Sequence, residues 1–212
     1  MLNLTTPTQI DASVITFCEE ISPLPPLYLE LDEPQGMKLS DCFNNVAKHV
    51  ASNGGNIQHG WIIWYAEGQF IEAEFHAVWV DADGAFQDIT PKNDGEKRIL
   101  FLPDDTLEWN KNVIPNKRKA LRDDPLVHLV IEQGHAMDEI KRRHVNENGE
   151  IHIPAQVFMA HQQETARKTM MLMQSMSGRQ QIPEPSLSKN RKCPCGSGSK
   201  YKHCGMKGRC NQ

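Results

Sequence analysis

Two long runs of β-branched and aromatic residues, Ile57 to Tyr65 (IQHGWIIWY) and Phe70 to Val80 (FIEAEFHAVWV), are separated only by a turn at Glu67-Gly68. Residues of this kind favour a pleated, half-buried surface, and so short a connection permits only antiparallel pairing. A second tight turn, Asp81-Ala82-Asp83-Gly84, leads into Ala85 to Thr90, which Pro91 ends because it has no N–H for a ladder. Arg98 to Leu102 (RILFL), stopped by Pro103, and Tyr28 to Leu31 predict two further strands. The chain is thereby committed to an antiparallel sheet.

One helix is expected to cover that sheet. Ser40 is placed to cap it, Asp41 suits its positive end, Cys42 falls in its first turn, and Phe43, Val46, Ala47 and Val50 recur at helical spacing before Gly54-Gly55. Residues 1–26 show no sustained periodicity, and Pro23, Pro25 and Pro26 predict an extended lead-in. The second half changes period. Asp124 to Arg143 and Pro154 to Met176 both predict helices, the first ending in Lys141-Arg142-Arg143 and the second carrying Met159, Met170, Met171, Met173 and Met176. Methionines at this spacing are expected to pack against a partner helix. The class is α+β: a helix-on-antiparallel-sheet domain over 1–122, a helical segment over 123–177 packing on it, a Pro-containing linker over 178–189, and a small tail over 190–212.

A hydrophobic fraction of 39% and a mean hydropathy of -0.54 describe a soluble chain. No run approaches the about 18 apolar residues of a membrane span, and residues 1–20 lack the basic start and apolar block of a signal peptide. A cytoplasmic setting is expected. There the six cysteines are better suited to metal ligation and free thiols than to disulfides. The net charge of -4 hides an asymmetry: residues 189–212 hold seven Lys or Arg and no acid, leaving 16 basic against 27 acidic residues elsewhere. A basic tail on an acidic body suits a polyanionic partner, such as RNA or a ribosome surface, or an acidic protein patch.

Within that tail, Cys193-Pro194-Cys195, eight further residues and Cys204 supply a tight thiolate pair and a returning ligand, which suits four-coordinate zinc. The segment RKCPCGSGSKYKHCG resembles the SEC-C zinc motif, named for the C-terminal tail of the SecA preprotein translocation ATPase. The resemblance covers residues 189–205. It implies a metal-binding tail used for docking, with a ribosome or a protein-export factor as partner in some members. The motif places Cys or His directly after its third cysteine, whereas this chain has Gly205 there. Cys210, reached through Gly205 and Gly208, is the preferred fourth ligand and His203 the alternative. Below about 40 residues such a tail has too little core to fold alone, so metal binding and folding should be one event.

A second constellation lies upstream: Cys42 at a helix start, His76 on a strand and Asp88 on the strand after it. A helix N-terminus favours a thiolate, an imidazole can take the thiol proton, and a carboxylate can fix the imidazole tautomer. Backbone N–H groups at the helix start, with Asn44 or Asn45, are expected to face an oxyanion, and Glu72 or Glu74 to share the His76 side of its strand. Cys42 in DCFNN, His76 in HAVWV and Asp88 in QDITP resemble the Cys, His, Asp order of the transglutaminase-like and papain-like superfamily. That likeness implies attack by Cys42 on an amide or thioester carbonyl of a protein or peptide, by a cysteine hydrolase or acyltransferase. The block, with RILFLPD and the SEC-C tail, is also similar to uncharacterised bacterial proteins. The alternative is a non-catalytic adaptor whose zinc tail docks it to a ribosome, an export factor or nucleic acid.

Overall fold

The computed structural model describes residues 4–93, 95–179, 190, 192, 198–200 and 203. It divides into two units, Met1–Thr169 and Met170–Gln212. The first is α+β. Its elements run α1 (Ala12–Glu19), β1 (Leu27–Glu30), α2 (Cys42–Asn53), β2 (Asn56–Ala66), β3 (Phe70–Val80), β4 (Phe86–Gln87), β5 (Arg98–Pro103), β6 (Lys117–Ala120), α3 (Pro125–Arg143) and α4 (Ala155–Arg179), the last running on into the second unit.

The β2–β3 hairpin is the centre of the sheet, paired over its full length from Asn56↔Val80 to Ala66↔Phe70. The strand order is β1-β5-β2-β3-β4, with β6 on β3, and every strand pair is antiparallel. An isolated parallel bridge, Leu31↔Asp88, joins the chain after β1 to the chain after β4. Since β1 and β4 are the two ends of the order, this bridge brings the sheet round almost to a barrel. The outer edge of β3 is shared: β6 takes Phe70 to Ala73 and β4 takes only Trp79 and Val80. Between them Glu74 to Val78 has no ladder partner on that side among the described residues.

Several expectations need correcting. The lead-in contains α1, capped by Asp11, whose side chain accepts from the N–H groups of Ser13 and Val14. Its one buried stripe, Val14, Phe17 and Cys18, enters the main core with Trp61, Ile63, Ile71 and Leu102. Eight residues were too few for that stripe to register as a period. The strand expected over 85–90 is only Phe86–Gln87, because Asp88 leaves the β3 ladder for the chain after β1, its carbonyl accepting from Asp32 N–H at 2.9 Å. Strand β6 (KRKA) had no apolar signal at all.

Asp124 caps α3 by accepting from Leu126 N–H, with Pro125 in the first turn. Gly134, an apparent weakness in that helix, has a packing reason: a Cβ there would lie 2.6 Å from Arg118 Nε. Arg118 crosses the helix at this point to reach Glu72 at 2.9 Å and Asp138 at 2.5 Å, all three side chains being nearly buried. The α4 methionines do not form a core. Met159 in the first unit and Met170, Met171, Met173 and Met176 in the second are all exposed. In the first unit α4 meets α3 through polar pairs, Thr165 with Gln133 and Lys168 with Glu132. Among the described residues no helix is long and apolar enough to cross a membrane.

Candidate functional site

The unpaired stretch of β3 opens onto a cavity of about 590 Å³. Cys42 and His76 both line it, with Thr90, Lys92, Glu74 and Trp109. Helix α2 reaches this place because its stripe of Cys42, Asn45 and Val46 is buried, with Val46 against Ala77 and Ile89. Phe43 lies 5.0 Å from Phe75 and stacks on Trp109 at 4.6 Å. Gly149 lets the α3–α4 connection pass close over Trp109, since a Cβ there would sit 2.3 Å from the indole.

Cys42 is the first helical residue, as its sequence context predicts, but Ser40 does not cap it. Ser40 has a φ of 54° and gives its N–H to Pro91 O, so the chain turns one residue later. Asp41 then occupies the N-cap position without a side-chain capping bond. The first intrahelical bond runs from Asn45 N–H to Asp41 O, which leaves the N–H groups of residues 42–44 at the helix mouth outside the ladder. Neither asparagine is free to assist them. Asn44 donates to Asp41, and the buried Asn45 binds the Lys38 backbone through both ends of its amide and reaches Thr90.

His76 Nε2 lies 3.0 Å from Asp88 Oδ1, with both side chains buried. Asp88 Oδ1 also accepts from Thr90 N–H at 3.2 Å, while Oδ2 pairs with Lys92 Nζ at 2.8 Å. Burial disfavours the charged imidazole, but the charge of Cys42, that of Asp88, and hydrogen bonds to both outweigh it and push His76 up to about 9. With Nε2 engaged by Asp88, Nδ1 is the ring nitrogen left for Cys42. Burial also works against the Asp88 carboxylate, yet His76 and Lys92 hold it down at about 2. The other body thiol is unlike Cys42 in its surroundings: burial, and then Glu19, push Cys18 up to about 12.

Glu72 and Glu74 have other partners. Glu72 binds Arg118 and Asn116, and Glu74 accepts from Trp64 Nε1 at 2.7 Å. Sequence reasoning missed Lys92 and Trp109, and gave Asn45 an oxyanion role where the structure has it tie down the Lys38 backbone. A lysine in a loop normally reads as solvated, and only its four-residue spacing from Asp88 hinted otherwise.

Of the tail ligands, Cys193, Cys195, Cys204 and Cys210 lie outside the described residues; His203 is described and exposed. Among the described residues of the tail, Lys192 and Lys200 form an antiparallel bridge, Gly198 has a positive φ of 72°, and His203 N–H donates to Lys200 O at 2.8 Å. Among the described residues no group of three or more metal-ligating side chains forms.

Residues 190–204 match the model of the SEC-C motif. That match suggests a metal-binding domain, commonly a zinc-binding one, at the C-terminal end of the chain. No curated protein and no solved structure matches the chain. The likeness of residues 41–91 to the papain-like and transglutaminase-like superfamily is not supported by these comparisons.

Proposed function

We propose that the chain is a thiol-dependent acyl-transfer or hydrolase protein of papain-like or transglutaminase-like kind, with a zinc-holding tail that docks it to a partner. The supporting observation is the setting of His76, held by buried Asp88 through one nitrogen and coupled to Cys42 at a helix mouth and cavity wall. Cys42 Sγ attacks a carbonyl carbon of an amide or thioester, forming a C–S bond as the carbonyl π pair moves to oxygen. The N–H groups at the start of α2, outside the helix ladder, favour that oxyanion. Collapse of the adduct breaks the bond to the amine or thiol, which leaves with the proton carried by His76. Water or an amine then attacks the thioester, giving its proton to His76 and releasing Cys42. Asp88 keeps the ring oriented and its charged form stable throughout.

In the tail, Cys193, Cys195 and Cys204, with Cys210 or His203, make a sulfur-rich donor set suited to zinc. When bound, zinc would cross-link the tail into a folded docking unit. The second reading rests on the SEC-C match: the tail docks the chain on a ribosome, an export factor or nucleic acid, and the body does no chemistry. Treatment with a small activated ester separates the two. The thiol reading expects one acyl group per chain, on Cys42 by peptide mass, absent in Cys42→Ala and slower in His76→Ala. Acylation confined to surface lysines, or none, would favour the adaptor.

A further inference from the structure

We propose, resting on the thiol site above, that Lys92 is a positioning residue that acts through Asp88: paired with Oδ2, its charge limits how tightly the carboxylate binds the His76 imidazolium. Lysine is rarely buried without a partner. Here the Lys92 side chain is 9% exposed and lies 2.8 Å from a carboxylate that is fully buried. The two residues are joined through Ile89-Thr90-Pro91, and Thr90 N–H reaches the other carboxylate oxygen. Each Asp88 oxygen thus has its own direction, Oδ1 toward His76 and Thr90, Oδ2 toward Lys92. Lys92 also lines the same cavity as Cys42 and His76. The groups run in alternating charge, thiolate, imidazolium, carboxylate and ammonium, so the buried site is neutral when fully ionised.

Two cations sharing one carboxylate oppose each other while each stabilises it. Without Lys92, Asp88 would serve His76 alone, the imidazolium would lose a nearby like charge, and the ring would become more basic. Among the described residues, the other elements packed on His76 bring neighbours of a different kind. Helix α2 brings Cys42; β3 itself carries Glu74, which is bonded to Trp64; β2 presents uncharged Gly60 opposite His76; and β5 brings Phe101, edge-on at 6.5 Å.

The test is a pH titration of the His76 ring by nitrogen-15 NMR in the full-length wild type, Lys92→Met and Lys92→Arg, alongside the acylation assay. Lys92→Met is expected to raise the His76 midpoint by about half a unit or more, and Lys92→Arg to restore it. A purely structural lysine would lower stability and leave the midpoint in place. A folded Lys92→Met with an unchanged or lowered midpoint overturns the proposal. Lys92→Gln, which keeps a polar end without the charge, decides the matter in the same way should Lys92→Met not fold. If the wild type fails to acylate at Cys42 while His76 still moves in Lys92→Met, the thiol reading is at fault and the Lys92–Asp88–His76 linkage stands. An acylating wild type with an immobile His76 overturns the role of Lys92 alone.

Discussion

Asp88 binds His76 with one end of its carboxylate while its backbone closes the sheet, the carbonyl accepting from Asp32 N–H and the residue bridging to Leu31. The site and the seam of the near-barrel are therefore one construction. A change that opens the seam moves the carboxylate away from the imidazole, and a change that removes the carboxylate leaves a polar imidazole nitrogen buried and unpaired.

Thiol reactivity should follow this arrangement. With zinc present to mask the tail, iodoacetamide at mildly acidic pH is expected to modify Cys42 ahead of Cys18, whose thiol, on the buried face of α1, is pushed up to about 12. His76→Ala should slow modification by removing the imidazolium, and Asp88→Ala should slow it less, since the base remains but is less well held. Peptide mass spectrometry over time reads the order. Modification of Cys42 only after denaturation would make it a core residue.

The same pair sets a pH window for stability. Asp88 falls from an ordinary 3.8 to about 2, so its contribution is complete above the higher value and is lost as pH falls through the lower one. His76 rises from 6.5 to about 9, so its contribution is complete below 6.5 and is lost as pH rises through about 9. The part of stability that belongs to this pair is greatest between roughly pH 4 and 6.5. Thermal unfolding against pH should show both limbs, and Asp88→Asn should remove the acid limb and shrink the alkaline one, which Cys42 also supports.

Much of this was legible in the sequence. The β2–β3 hairpin, the start of α2 at Cys42 and the bounds of α3 came from strong local signals: β-branched runs, turn residues, and Asp124 before Pro125. The order Cys42, His76, Asp88 was readable for the same reason, since each sits beside such a signal. What stayed hidden depends on distant partners. Strand β6 is a charged tetrapeptide that pairs only because β3 offers an edge, and the Lys92 side chain is mostly covered where it meets buried Asp88. The fate of Ser40 was likewise set from outside, by its bond to Pro91 O.

Gly134 offers a test of tertiary packing against local preference. Alanine there would gain about 1 kcal/mol of helix propensity, yet its Cβ would meet Arg118 Nε at 2.6 Å. Arg118 cannot withdraw without leaving Glu72 and Asp138, and overpacking of this kind costs about 1–3 kcal/mol. Gly134→Ala should therefore be neutral to destabilised, by roughly 0–2 kcal/mol in urea unfolding. Arg118→Met, which strands two nearly buried carboxylates, should lose more, about 3–5 kcal/mol. A stabilised Gly134→Ala would show that the arginine yields at no cost.

The tail is expected to carry one zinc per chain with sulfur-rich tetrahedral coordination, measured by metal analysis and by absorption of the cobalt-substituted protein. Cys210→Ala should weaken binding more than His203→Ala, because a thiolate is the stronger ligand and Gly205 and Gly208 ease the return. The opposite order would move the fourth ligand to His203. Chelation should unfold residues 190–212 while thermal unfolding of the body stays unchanged, since the body has its own core.

The charge asymmetry predicts how the tail meets its partner. Seven basic residues and no acid over 189–212, on a body of net charge -11, should bind a polyanion through released counterions. Affinity for ribosomes or RNA is therefore expected to fall steeply between low and physiological salt, and deletion of 189–212 to abolish it. Zinc should contribute separately, by holding the basic residues on one folded unit: chelation is expected to weaken binding at fixed salt without changing the number of positive charges. Co-sedimentation at several salt concentrations, with and without chelator, reads both effects. Binding that survives the deletion would have to come from the acidic body, and the docking role of the tail would be lost.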